Sequence, residues 1–347
     1  MDEKDRLLWA HLHSGIPLVR RPFDQLGAKV GLDAAEIFVR IQRLKKEGAL
    51  TEIQPVWDVR KFRYQSAWVA MRFDPSNLIS RTGSFKDHPG VVYVCERNHA
   101  FNLWFFITVP ETHDVEAHVR CLERMSGAEQ ALLFPLRKVF KGMDLLHTLD
   151  ESTFRPMGEH FAPGREGRVL GLTSEEIETV RGAQHFPVTD EPYQKIASGL
   201  GATEAQVLET LKSLIKKGCL RRIGSLMPPS THSIKEKRLV VWQVPEEKIE
   251  NAGNAVASCT EVIYADHRAA LPGFPYSLST VVQVKNEAET EETLRHIEER
   301  IGKWSRATLK TVQEFKKERP EYFSKELDRW WNEHRAVAET AFDRSST

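Results

Sequence analysis

An excess of either charge is what this sequence most plainly lacks. Its 347 residues hold 49 Lys and Arg against 49 Asp and Glu, a formal net charge of zero. A generic nucleic-acid binder carries a basic excess, so the balance argues against one and leaves room only for local basic pockets. Cysteine is scarce too. Cys95, Cys121, Cys219 and Cys259 form no C-x-x-C pair, which argues against a zinc or cluster site. No apolar run approaches the roughly 20 residues that span a bilayer. The opening MDEKDRLLWAHLH is charged where a signal peptide would be apolar. The expectation is a cytoplasmic protein with reduced thiols, no membrane partner, no metal site and room for two or three domains.

What is present is a repeat. PFDQLGAKVGLDAAEIFVRIQRLKKEGAL (22–50) returns as PYQKIASGLGATEAQVLETLKSLIKKGCL, 170 residues further on (22 to 192) with no gap. Leu26 falls on Ile196, Gly31 on Gly201, Ile37 on Val207, Leu44 on Leu214 and Gly48 on Gly218. The apolar positions recur at helical spacing, and a glycine ends each second helix. Each copy reads as helix, tight turn, helix, with Asp33 and Thr203 as N-caps. A shorter helix precedes each pair, and strand-like residues follow at 50–53 and 220–223 as the start of a wing. Beyond them GVVYVCERN (90–98) matches EVIYADHRA (261–269), 171 residues on (Tyr93 to Tyr264). AFNLWFFITV matches PYSLSTVVQV 175 residues on (Phe101 to Tyr276), so the second copy inserts four residues within ALPGFP. A helix and one last strand (about 131–142 and 305–315) complete each copy in the order βαββαβ.

The predicted fold is therefore α+β, a tandem repeat of winged helix-turn-helix plus ferredoxin-like (βαββαβ) domain. The units are a winged helix over 1–62, a ferredoxin-like domain over 63–143, a Gly- and Pro-rich linker over 144–172, a second winged helix over 173–232, a second ferredoxin-like domain over 233–318, and a C-terminal helix over 319–347. The two ferredoxin-like sheets are expected to pack together as an internal pseudo-dimer. Trp330 and Trp331 of the last helix need a surface to pack on.

A winged helix followed by a ferredoxin-like domain resembles the leucine-responsive regulator (Lrp/AsnC) family, over nearly the whole chain and twice. ERNHAFNLWFFI (96–107) is similar to the R-x-H-x-(Y/F)-N-x-W-F signature of the siroheme decarboxylases, a branch of that family. DHRAALPGFPYSLST (266–280) resembles the pattern of the partner subunit, and RRIGSL (221–226) a wing motif of the branch. The resemblance is to the fused form, in which one chain carries both subunits. It implies removal of CO2 from two acetates of siroheme to give 12,18-didecarboxysiroheme, on a route to haem or haem d1. The reaction is non-oxidative, the work of a carbon-carbon lyase. Siroheme's iron arrives with the substrate, so no cofactor is required.

Siroheme is flat, apolar across its faces and ringed with carboxylates. It suits aromatic walls with fixed cations at the rim, where an arginine fork meets a carboxylate bidentately. Decarboxylation leaves electron density on carbon that a proton must quench, and histidine suits that task near neutrality. Arg97 is the expected carboxylate anchor and His99 the expected proton donor. If the strand already runs through 97–99, both share a face with Phe101, and Asn102 and Trp104 take the other. The bland alternatives are an ion pair of Arg97 with Glu96, and Trp104 with Phe105 as core. Arg268 stands in the place of Arg97, with His267 beside it, and Tyr276 in the place of Phe101; nothing matches His99. Tyr93 and Tyr264 recur as core or substrate contacts. Arg221 and Arg222 bind carboxylates or solvate a wing. His11, His13, His113, His118 and His147 show no ligand spacing. The first half reads as catalytic, and the second as an auxiliary pocket wall, a degenerate site or the holder of the other acetate.

The competing reading is a DNA-binding regulator, or a haem-responsive sensor built on the same pocket. Asp33, Glu36, Glu204 and Glu209 lie on the helices that would meet DNA and put negative charge near its phosphates. Specific DNA binding is therefore not expected. A further homodimer is left open.

Overall fold

A computed structural model describes residues 1–50, 52–58, 61–141, 171–225, 236–284 and 286–339. The predicted linker lies outside these residues except for its last two positions, as does Leu226 of the wing motif. The first half runs α1 (Glu3–Ser14), α2 (Pro22–Val30), α3 (Ala34–Lys46), β1 (Ile53–Trp57), β2 (Tyr64–Arg72), two short helices α4 (Leu78–Arg81) and α5 (Gly83–Asp87), β3 (Val91–Arg97), β4 (Leu103–Pro110), α6 (Val115–Ser126), β5 (Gln130–Phe134) and β6 (Leu136–Lys141). The second runs α7 (Ser174–Ala183), α8 (Pro192–Leu200), α9 (Glu204–Lys216), β7 (Leu220–Ser225), β8 (Glu236–Trp242), α10 (Ile249–Ala257), β9 (Val262–Arg268), β10 (Leu278–Val284), α11 (Glu287–Ile301), β11 (Arg306–Leu309) and β12 (Thr311–Lys317), and α12 (Lys325–Glu339) closes the chain.

The expected caps form. The Asp33 carboxylate accepts from the Glu36 amide at 2.8 Å, and Thr203 makes a capping box with Gln206. Gly31 and Gly201 end α2 and α8 at φ 67° and 66°, where a Cβ would be strained. The winged-helix units are not independent. β1 and β7 pair antiparallel with each other, from Ile53 opposite Ser225 to Trp57 opposite Leu220, so one strand from each unit builds a shared ribbon. A single core joins Leu8, Phe23 and Ile37 to Val180, Tyr193 and Leu214. The basic side of α3 is occupied as well: Arg40 reaches Asp2 and Asp5 at 2.7 and 2.8 Å, and Arg43 reaches Asp5 at 2.5 Å.

The two five-stranded sheets run β12-β3-β4-β2-β5 and β11-β8-β10-β9-β6. Four strands of each have the ferredoxin-like order. The fifth belongs to the other half, which corrects the single last strand expected over 131–142 and 305–315. The first breaks at Pro135, which has no N–H to continue a ladder. The second breaks at Lys310, whose amide turns to the Asn98 side-chain oxygen at 2.6 Å. After each break the chain crosses over, and the halves exchange β6 and β12 reciprocally. The sheets meet face to face over Trp68, Tyr93, Trp104, Phe106 and Phe134 from one side and Val241, Phe274 and Leu309 from the other. α12 lies on α6 and covers the outer core of the first half with Leu327 and Trp330.

Candidate active site between the sheets

Strand alternation points Tyr93, Cys95 and Arg97 of β3 into the space between the sheets, and Tyr264, Asp266 and Arg268 of β9 likewise. The two sets correspond position by position. Each arginine is buried and reaches across the domain boundary: Arg97 Nη1 donates to the Leu309 carbonyl at 3.1 Å, and Arg268 Nη1 to the Phe134 carbonyl at 3.0 Å. Those carbonyls sit where the chain leaves one sheet for the other, so both arginines hold the strand exchange.

The sets differ in their middle member. Asp266 is wholly buried, and its Oδ2 accepts from Arg268 Nη2 at 2.5 Å and from the Tyr264 hydroxyl at 2.7 Å. Burial and the Asp266 carboxylate push the Tyr264 phenol well above its ordinary value. Burial works against the Arg268 charge, but the carboxylate more than offsets it and raises its pKa. In the first half the equivalent residue is the Cys95 thiol, which burial pushes up and keeps neutral. Tyr93 turns to β12 instead and donates to Glu314 at 2.8 Å.

A cleft opens between the sheets, with about 550 Å³ of empty space when the open solvent at its mouth is included. Trp68, Trp104 and Phe134 form one wall, with Trp104 and Phe134 stacked at 5.2 Å and 8°. Leu239, Val241 and Val281 form the other, Tyr264, Asp266, Arg268 and Ser279 make a polar end, and Phe274 and Tyr276 come from the inserted loop. The cavity lies against the second sheet because that sheet carries smaller residues there. At the matching positions the first sheet has Trp104 for Ser279, Phe106 for Val281 and Trp68 for Leu239.

Several expectations drawn from the residue pattern need correcting. β3 ends at Arg97, and 98–102 is a loop, so Arg97, His99 and Phe101 do not share a strand face. The loop folds because the His99 amide donates to the Arg97 carbonyl at 2.9 Å and the Phe101 amide to His99 Nδ1 at 3.1 Å. Neither Arg97 nor His99 lines the cavity. Arg97 lies over the Trp104 ring at 5.6 Å, behind that wall. His99 meets the cavity-lining Phe274 edge to face at 5.4 Å, and burial lowers its pKa. Phe101 is buried and lies near-parallel to His99, with ring centroids 6.1 Å apart. Asn102 is a clamp: its amide bonds the Phe73 N–H at 3.0 Å and the Phe73 carbonyl at 2.9 Å. His267 falls on the opposite strand face from Arg268 and turns to Glu246 at 3.4 Å. Arg221 and Arg222 lie on the wing ribbon, Arg221 facing Asp58 at 3.5 Å, and neither lines the cavity. Tyr264, Arg268, Trp104 and Tyr276 do line it.

Of the lining residues that sequence reasoning missed, Trp68, Phe134, Leu239, Val241, Ser279 and Val281 read only as strand residues, whereas Asp266 and Phe274 had a signal. Asp266 aligns with Cys95 between a matching Tyr and Arg, and that mismatch was the available signal. Phe274 lies in the four-residue insertion. Leu271 and Phe274 exchange backbone hydrogen bonds at 3.0 and 2.8 Å about Gly273, which turns at φ 80°. The tight turn drives Phe274 inward against His99, Trp104, Phe134 and Tyr276.

The AsnC-like ligand binding domain model matches residues 61–141 and 234–316, and the siroheme decarboxylase NirDL-like HTH domain model matches 5–50 and 183–221. The chain is 31% identical to a siroheme decarboxylase of Hydrogenobacter thermophilus over 96% of this chain and 98% of that protein. It is 34% identical to a siroheme decarboxylase beta subunit of Methanosarcina barkeri, over 38% of this chain and 87% of the subunit. A single chain thus spans what that relative carries as one subunit of an assembly. The crystal structure of the siroheme decarboxylase NirDL superposes with a TM-score of 0.74 at 28% identity, over 97% of this chain and 100% of that one. Its co-complex with an iron-uroporphyrin III analogue superposes with a TM-score of 0.73 at 28% identity, over 96% of this chain and 99% of that one.

Proposed function

We propose that this chain, which belongs to the siroheme decarboxylase family, decarboxylates siroheme at two acetates and leaves methyl groups, giving 12,18-didecarboxysiroheme for haem or haem d1 formation. The observation that carries the reading is the cavity itself: an aromatic slot between two sheets with a buried, carboxylate-paired arginine at its polar end. A planar macrocycle lies against the Trp104–Phe134 stack and the aliphatic wall, and its carboxylates meet the polar end and the mouth. A regulator reading gains nothing from the fold, since the wings pair with each other and the α3 arginines are held by acids of α1.

In the proposed reaction the bond between methylene and carboxylate carbons breaks, CO2 leaves, and the electron pair stays on the methylene carbon, spread into the ring. A proton then completes the methyl group. No electron is gained or lost, so the step is that of a carbon-carbon lyase and asks no redox cofactor of the protein; the iron belongs to the substrate. His99 is the proposed proton donor. In the neutral ring Nδ1 accepts from the Phe101 amide and Nε2 carries the hydrogen; the donor is the imidazolium, formed when the ring takes up a further proton and gives up that amide bond. Phe274 stands between that ring and the cavity, on a loop that turns at Gly273, and substrate entry displaces it. Arg97 supports the site from behind Trp104.

Anaerobic incubation with siroheme followed by mass analysis of the tetrapyrrole tests the proposal. Loss of two carbon dioxide units is expected. Recovery of unchanged siroheme from a complex that binds it would overturn the reading in favour of a sensor.

A further inference from the structure

Asp266 has an acceptor that the fold leaves open. Oδ2 is engaged by Arg268 and Tyr264, whereas Oδ1 has no hydrogen-bond partner among the described residues. The side chain is fully buried and lines the cavity. A buried carboxylate oxygen without a donor is costly, and a ligand that brings a donor relieves that cost. Siroheme's iron-bound ring nitrogens offer none. Its side chains offer one only as carboxylic acids.

We propose that Asp266 binds one carboxyl side chain of the tetrapyrrole as its acid, the two carboxyl groups sharing a single proton. The inference rests on the tetrapyrrole reading above. Two carboxylates in contact within a poorly solvated site cannot both stay ionised, and one of them takes up a proton. The balance is simple: Asp266 carboxylate, substrate carboxylate and one proton from solvent give the hydrogen-bonded pair, and no covalent bond changes. A carboxyl held in this way cannot lose CO2, since the leaving form is the carboxylate. Asp266 therefore selects which side chain is kept.

The groups around Asp266 leave it this role. On its own strand Tyr264 and Arg268 bond Oδ2 only. Arg268 commits its Nη1 to Phe134 and its Nη2 to Asp266, so it neutralises Asp266 rather than offering a second cation. Ser279 lies opposite on β10 and Val139 on β6. The charged residues of β6 turn to the helix side: Arg137 to Glu246, Lys138 to Glu250 and Lys141 to the Cys259 carbonyl. His267 faces Glu246, Tyr276 comes from the inserted loop, and the facing wall of Trp68, Trp104 and Phe134 carries no charge. The first half has the neutral Cys95 thiol in this position, so the property belongs to the second half alone.

The test is proton uptake on binding iron-uroporphyrin III, read by calorimetry near pH 7 in buffers of different ionisation enthalpy. It is run in a His99→Ala background so that the imidazole cannot account for the proton. About one proton per tetrapyrrole is expected with Asp266 present, and about one fewer with Asp266→Asn. Asp266→Cys, which copies the first half, should behave like Asp266→Asn and serves where the amide leaves Arg268 too poorly paired to fold. Equal uptake with and without Asp266 overturns the inference and leaves the tetrapyrrole reading intact. If neither variant folds, the His99→Ala protein decides alone: affinity that rises as pH falls from 8 to 6 supports the shared proton, and a flat profile overturns it. Failure of the wild-type chain to bind the porphyrin overturns both.

Discussion

Arg97 donates to the carbonyl of Leu309 at 3.1 Å, across the boundary between the two halves. Arg268 repeats the contact on Phe134 at 3.0 Å. Charged donors therefore mark both points where the chain passes from one sheet into the other. A buried hydrogen bond with one charged partner contributes about 1.5–3 kcal/mol. Arg97→Ala should lower the melting temperature and weaken tetrapyrrole binding together, by loosening the wall behind Trp104. Arg97→Lys should recover part of the stability, because an ammonium reaches one carbonyl but does not stack as a guanidinium does. Absorbance titration beside a thermal melt distinguishes this from a direct carboxylate anchor, whose loss would weaken binding with no change in melting.

His99 makes the opposite forecast. His99→Ala should leave affinity for siroheme within a few-fold and slow single turnover by roughly 10²–10⁴-fold, the usual worth of a general acid. Burial lowers the imidazole pKa from 6.5 in the substrate-free protein. The acid form is then lost as pH rises through a value below 6.5, so the basic limb of kcat/KM should fall there. Bound carboxylates favour the imidazolium and should move the limb of kcat to higher pH. Coincident limbs, or unchanged turnover in the alanine variant, would place the donor elsewhere.

The unequal walls predict a simple blockade. Ser279→Trp puts into the second sheet the residue the first sheet carries at that position. The indole would fill open space that the macrocycle needs rather than packed core, so the melting temperature should change little while tetrapyrrole affinity falls by about 10- to 100-fold, about 1.4–2.7 kcal/mol of binding free energy. Trp104→Ala should also weaken binding, by removing half of the aromatic stack. Full binding by Ser279→Trp would show that the macrocycle sits outside this cavity.

The last helix is held by a line of imidazoles. The Gly90 amide donates to His88 Nδ1 at 2.9 Å, His88 Nε2 lies 2.9 Å from His118 Nδ1, His118 Nε2 lies 3.2 Å from His113 Nδ1, and His113 Nε2 meets Asp328 of α12 at 3.3 Å. Trp330 and Trp331 stack on His118 at 5.8 and 4.1 Å. Each ring accepts at Nδ1 and donates from Nε2, an order that only neutral rings keep. Burial and His113 push His118 from 6.5 down to about 3, and burial with His118 holds His88 well below its usual value. Because the unfolded chain binds these protons more readily, their contribution is complete above pH 6.5 and is lost as pH falls from there toward 3. Hydrogen exchange should show α12 opening before the sheets as pH is lowered from 7 to 5, and Asp328→Asn should move that opening to higher pH. Exchange of α12 that does not change with pH would break the link to the histidines.

The repeat, the helix-turn-helix pairs and the order of the strands were legible because each is written in local pattern. Apolar spacing near 3.6 or 2, a cap residue and a glycine past the helix end act within a few residues, and the 170-residue offset states them twice. The aromatic wall was legible at Trp104 and the buried arginine at Arg268. The shared face expected for Arg97, His99 and Phe101 failed because a two-residue spacing implies one only inside a strand, and the Phe101 amide bonding to the His99 ring turned that segment into a loop. His267 misled because adjacency in sequence means opposite faces on β9. Asn102 was drawn off by the backbone of Phe73, 29 positions away.

The two copies and their local folds follow from the order of residues alone, since those depend on neighbours along the chain. Three features needed the assembled fold: the change of sheet by β6 and β12, the single ribbon shared by the wings, and the open cavity against the second sheet with Asp266 in its wall. These are non-local outcomes. They depend on which edge can complete a hydrogen-bonded ladder, which buried arginine finds a carbonyl, and whether the residue facing a gap is a tryptophan or a serine.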